Sequence, residues 1–265
     1  LARGPVSVDD LPEILPMNAF RSLALMLLLG IMPVHAQDLS TTCHASSSYD
    51  ITLRQDSLMF ERPAPAPFHV QIAQATLRAD GVAVALNAEA QDRLSLFDHD
   101  VRALAPRVRT VARHGVDIAV QAMHAEEAGM GLSAATRSEF DQRLAVHADE
   151  LKQRIDASNS TRDWQGPAMN QTMQSMTSDL LPLLAADLGQ QAVDAALSGD
   201  LQAASELRDR AADLAIRLQP RLLQRMQALR PQIQALCPAI RQLADLQQGL
   251  PDGHGHALNL LQIDP

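Results

Sequence analysis

Residues 75–104, ATLRADGVAVALNAEAQDRLSLFDHDVRAL, change their period halfway and so divide the chain between strand and helix. The first twelve read as two apolar runs around Asp80-Gly81, a pair that tolerates the positive φ angles of a type I′ hairpin. From there Leu86, Ala90, Leu94, Phe97, Val101 and Leu104 recur at steps of three and four, which is one face of a helix that Pro106 is expected to end. Upstream, residues 49–53 (YDITL) and 68–72 (FHVQI) alternate, and 57–61 (SLMFE) is a short apolar stretch. These runs predict a small antiparallel sheet of about four strands within residues 37–86. One sheet cannot bury both faces alone, so it must pack on a mainly helical region spanning 87–248. The expected fold class is therefore α+β, a single domain with long, kinked amphipathic helices.

Downstream, Val108, Val111, Ile118, Ala119, Ala122 and Met123 keep a helical rhythm interrupted at His114-Gly115, for which a turn is the alternative reading. Thr136 and Glu139 stand at capping-box spacing before a stripe of Phe140, Leu144, Ala148, Leu151 and Ile155, a helix that should end near Ser158. The polar stretch 158–167 holds Trp164 and reads as a loop or a helix start. Residues 168–197 are helical in composition, with Pro182 and Gly189 as kink points. From Leu201 to Leu243 apolar residues step by three or four throughout, and Pro220, Pro231 and Pro238 predict kinks or breaks. Residues 249–265, punctuated by Pro251, Gly253 and Gly255, read as a flexible tail.

The N-terminal region carries an address. After Met17 come Arg21, a ten-residue apolar core at 23–32, and Val34-His35-Ala36, a small-x-small cleavage site before Gln37. Residues 17–36 are thus read as a cleaved signal peptide, and residues 1–16 as an over-extended start. A retained anchor is the competing reading, but the apolar core is shorter than the roughly 20 residues of a membrane span. No stable membrane insertion is expected after cleavage. Cleaving there removes two basic and three acidic residues, leaving 22 − 2 = 20 against 31 − 3 = 28, a net charge of −8. That charge, with one Trp, one Tyr and five Phe, argues against nucleic acid as a partner.

Cys43 and Cys237 are the two cysteines of the chain, and in an oxidising compartment they most simply form a structural disulfide. A redox pair is the competing reading, but there is no Cys-x-x-Cys motif. An early Cys43 before YDITL at 49–53, VRALAP at 101–106, AALSGD at 195–200, and a late Leu236-Cys237 followed by LADL at 243–246 resemble the YggN-like family. These are exported proteins of unknown function from Gram-negative bacteria. The resemblance covers nearly all of the mature chain and implies a periplasmic location and the Cys43–Cys237 pairing. It implies no catalytic residue, and the three late prolines depart from the family pattern.

Candidate chemistry is sparse. His254-Gly-His256 offers two imidazoles and no third ligand, which makes an adventitious metal site at most. Asp98-His99-Asp100 and the His147, Glu150 pair set carboxylate beside imidazole but read as solvated helix surface. His124-Ala-Glu126-Glu127 lacks the second His of a zinc hydrolase, and Ser133 reads as a helix start rather than a nucleophile. Met169, Met173 and Met176 form a soft apolar stripe that reads as core, although such faces also adapt to partners. The expectation is a noncatalytic periplasmic interaction or structural protein, without cofactor or metal. It would act through amphipathic helices on a protein partner or on itself. The alternative is a binding module for a lipid or other apolar ligand.

Overall fold

Five strands form an antiparallel meander, β2 (Asp50–Leu53), β3 (Leu58–Glu61), β4 (His69–Ala73), β5 (Thr76–Ala79) and β6 (Val82–Val84), in that spatial order, and burial alternates along the three central ones. The sheet of about four strands expected within residues 37–86 is present with five. Leu53, Leu58, Ile72, Leu77 and Val84 stand opposite one another across all five strands, so one face is an apolar ladder. Asp80 and Gly81 take φ values of 48° and 83° between the paired Ala79 and Val82, the geometry of the expected hairpin. The computed structural model describes residues 41–165 and 167–263. The expected signal segment 17–36, its cleavage point between Ala36 and Gln37, and residues 1–16 lie outside the described residues.

Covering the ladder is the first part of α1 (Ala88–Ala128), capped by Asn87, whose side chain accepts from Ala90 N. Leu94, Phe97 and Val101 pack there against Phe60, Val70, Ile72 and Leu77. Pro106 does not end this helix. Its missing N–H leaves the Arg102 carbonyl without a helical donor, at a cost of about 3 kcal/mol. Burial on both sides of it, by Val101 before and Val116, Ile118 and Ala122 after, outweighs that loss. Nor is His114-Gly115 a turn: it lies within α1. A Cβ on Gly115 would stand 3.1 Å from Leu229 Cδ1, so the missing side chain is what lets another segment approach.

Ser133 caps α2 (Ala134–Ala157) by accepting from Thr136 N, which replaces the expected box at Thr136 and Glu139 and confirms Ser133 as a helix start. The expected stripe holds, with Phe140, Leu144, Ala148 and Ile155 buried. After α2, Ser160 and Asp163 form a capping box around a single tight turn. This connection shields the edge strand: Leu53 N donates to Asn159 O at 2.7 Å, and Arg162 pairs with Asp50 and Glu61. Then α3 (Pro167–Leu197) and α4 (Leu201–Met226) form a hairpin, α3 packing also on α2 and α4 also on α1.

Pro182 and Pro220 both lie inside helices, so the break expected at Pro220 is not made. At Pro231 and Pro238 the reading holds, because each stands in the first turn of a new helix, α5 (Arg230–Gln234) and α6 (Cys237–Gln247). A first-turn proline gives up a donor that would have had no helical partner.

Cys43 and Cys237 are bonded, S–S 2.03 Å with Cα atoms 5.1 Å apart, among Ala45, Ile118, Leu229, Ile233, Leu236 and Ile240. The expected flexible tail is corrected most. Leu250, Leu258 and Leu260 are buried in the sheet core. The buried Gln247 amide accepts from Leu260 N at 2.8 Å and Leu261 N at 2.9 Å, and donates to Leu261 O. Strand β7 (Gln262–Ile263) then pairs antiparallel with β1 (Ala45–Ser46). Pro and Gly shape this strap rather than loosen it. Among the described residues no helix is long and apolar enough to cross a membrane.

Candidate functional site

Where α1 hands over to α2, polar groups converge at the edge of a core made of Leu132, Phe140, Leu144, Leu180, Leu184 and Leu188. The connection is held from α3: Asp187 accepts from Ser133 N at 3.0 Å and from Thr136 Oγ1 at 2.7 Å. Burial would lift the Asp187 carboxyl, but these hydrogen bonds and one from Gln191 outweigh it and hold the group below the ordinary carboxylate range. The turn is thereby fixed, and it sets the last turn of α1 beside the second turn of α2.

His124 and Glu127 share one face of α1 at i, i+3, and Asp141 and Arg137 meet them from α2. His124 Nδ1 lies 3.0 Å from Asp141 Oδ1 and 3.5 Å from Glu127 Oε2, and Arg137 Nε lies 3.0 Å from Glu127 Oε1. Glu127 is 4% exposed. Its Oε1 and the Asp141 Oδ1 are both buried with no aligned hydrogen-bond donor, so Arg137 and His124 approach at ion-pair distance without pointing an N–H at them. Burial pushes the Glu127 carboxyl up and the Asp141 charge adds to the effect, against the pull of His124 and Arg137. One ligand atom from each of His124, Glu127 and Asp141 falls within 4.8 Å of the other two. Such a set can share a proton or hold a cation.

A second polar group braces α2 on α3 around an open depression of about 290 Å³ lined by Glu139, Gln142, Arg143, Val146, His147 and Asp179. His147 Nε2 is 2.9 Å from Asp179 Oδ2, and Arg143 donates to Asp179 Oδ1 at 2.6 Å. The hydrogen bond from His147 and the Arg143 charge hold the Asp179 carboxyl below its usual range. The third feature is apolar. At the α3–α4 turn Leu197 is 82% exposed, Leu201 73% and Val193 52%. Gly199 at φ 86° closes this turn, Asp200 N donates to Ala195 O, and the Asp200 side chain accepts from Ala203 N.

A family model described as protein of unknown function (DUF2884) matches residues 43–253. The chain belongs to that family. No curated protein and no solved structure matches the chain. The DUF2884 region starts at the first bonded cysteine and takes in the five-stranded sheet, α1 to α6 and the start of the strap.

Within this DUF2884 fold the remaining candidates disperse. The tail imidazoles do not converge: His254 Nε2 lies 3.5 Å from Asp80 Oδ2 and His256 Nδ1 3.5 Å from Asp252 Oδ2, while both backbone N–H groups donate to Asp252 Oδ1. Asp98 pairs with Arg102, Asp100 accepts from Gln242 Nε2, and His99 is exposed. His147 reaches both Glu150 and Asp179, so it bridges two helices where solvated surface was expected. Of the methionine stripe, Met176 packs on the α2–α3 core while Met173 is exposed. Asp141 escaped the sequence reading because nothing local ties it to His124. The only available signal was the short 129–133 connection, which folds two helices onto each other.

Proposed function

We propose that the protein is a noncatalytic periplasmic interaction protein that docks another protein on the apolar tip of its α3–α4 hairpin. The observation that carries this reading is the exposure of Leu197, Leu201 and Val193 on a turn whose Ser198, Gly199, Asp200 and Ala203 N–H groups are all hydrogen-bonded. Large apolar side chains held rigidly in water lose their hydration cost only when a partner covers them, and a rigid tip gives up little entropy on binding. The buried Cys43–Cys237 bond fits an oxidising compartment, in line with the export signal read at 17–36 and with the YggN-like resemblance.

The test is site-specific photocrosslinking from position 197, with exposed Glu89 at the far end of α1 as control, in cells that export the mature chain. A discrete adduct from 197 that disappears in Leu201→Ser supports docking at the tip. Equal labelling from both sites, or none, overturns it. Native mass spectrometry addresses the apolar-ligand alternative directly: a small mass lost on denaturation would replace the present reading with that one.

A further inference from the structure

We propose that His124, Glu127 and Asp141 form a binding site for one divalent transition-metal ion, of the Zn2+ type, that staples α1 to α2. Ligand atoms bound to a tetrahedral Zn2+ at 2.0–2.1 Å stand about 3.3 Å from one another. His124 Nδ1 already stands 3.0 Å from Asp141 Oδ1 and 3.5 Å from Glu127 Oε2. The Glu127 and Asp141 oxygens lie within 4.8 Å of each other, so side-chain rotation can bring the three atoms around an ion.

The electrostatics point the same way. Two carboxylates are drawn together beside a core, and an oxygen of each is buried without an aligned donor. Glu127, the more buried of the two, belongs to a residue only 4% exposed, so water cannot serve it freely. A divalent ion between Glu127 Oε2 and Asp141 Oδ1 neutralises both charges and gives the buried Asp141 oxygen the partner it lacks. Arg137 sits on Oε1 of Glu127, which leaves Oε2 on the His124 side for the ion. His124 and Asp141 are each about half exposed, so the ion has an entry path and room for a water as its fourth ligand. One imidazole with two carboxylates suits Zn2+, Mn2+ or Fe2+ and disfavours Ca2+ and Mg2+, which take oxygen alone. Because His124 and Glu127 lie on α1 and Asp141 on α2, the ion would lock the two helices where the polypeptide reverses.

The experiment uses untagged mature protein stripped with chelator and titrated with Zn2+ by calorimetry and by thermal melting. The expected result is one equivalent bound and a melting temperature that rises with free Zn2+. Affinity should fall at least tenfold in both His124→Ala and Asp141→Asn, two partly exposed positions whose variants should keep the parent circular dichroism spectrum. Absence of stoichiometric binding overturns the site. So does binding that survives both variants and vanishes instead in His254→Ala/His256→Ala. A Glu127→Gln variant that melts higher than the parent while neither binds Zn2+ would show a shared proton in place of the metal.

Discussion

Replacing Leu260 by alanine tests whether the C-terminal strap is part of the core. Leu260 is 1% exposed and packs in the sheet core with Tyr49, Phe60, Leu94, Leu250 and Leu258. Truncating a buried leucine to alanine costs about 2–5 kcal/mol, depending on how far the walls relax. Relaxation here is restricted, because the Leu260 backbone is held on both sides: its N–H donates to Gln247 Oε1 and its carbonyl accepts from Ser47 Oγ at 2.7 Å. A loss of about 3 kcal/mol is expected, which in a domain of this size lowers the melting temperature by roughly 6–12 °C. Chemical and thermal denaturation read it out. The exposed neighbour Asn259 serves as control, and its alanine variant should stay within about 0.5 kcal/mol of the parent. Gln247→Ala should also destabilise, since it strands the N–H groups of Leu260 and Leu261 at about 1–3 kcal/mol each. A Leu260→Ala loss below about 1 kcal/mol, or amide exchange at Leu258 and Leu260 as fast as in a free peptide, would refute the packed strap and restore the flexible tail.

Reduction of Cys43–Cys237 should lower stability by up to about 5 kcal/mol, since the bond closes a loop of 194 residues; equal denaturation midpoints with and without reductant would contradict this. The β4–β5 turn places Gln74 and Ala75 at φ 49° and 60°, so Ala75→Gly should raise stability by about 1 kcal/mol in thermal melts. Acid should destabilise the fold through Asp187 and Asp252. Both have folded pKa values below the ordinary 3.8, so their stabilisation is full above that value and is lost as the pH falls through the folded one. Asp187→Asn should flatten the dependence of stability on pH below about pH 4. Glu127 acts in the opposite sense, because its raised pKa makes the folded state less favourable as the pH rises past its ordinary 4.5.

How much of this was legible depended on whether the signal was local. Asp80-Gly81 announced its hairpin because the two residues themselves favour the required φ angles. The equivalent Gln74-Ala75 turn gave no such sign, being imposed by the pairing of Ala73 with Thr76 on either side. Pro231 and Pro238 were read well because each begins a helix, whereas Pro106 was misjudged because tertiary packing overrode a local penalty. The strap was missed because Gly253 and Pro251 outweighed three leucines, Leu250, Leu258 and Leu260, whose burial depends on a distant sheet. Likewise His124 and Glu127 entered the sequence reading only as a motif lacking the second His of a zinc hydrolase. Their third member, Asp141, is supplied only by the way α2 folds back, and no spacing rule reports that.

The position of the disulfide also sets an order of events. A chain made from its N-terminus presents Cys43 long before Cys237, and 193 residues separate the first thiol from its only intramolecular partner. The β1–β7 pairing waits longer still, since its second strand begins at Gln262. The bond therefore cannot close early around a half-made sheet, and a chain interrupted anywhere before residue 237 carries one reactive sulfur that its own fold cannot mask. Pairing of Cys43 with Cys237 thus reports that α1 to α5 have been made.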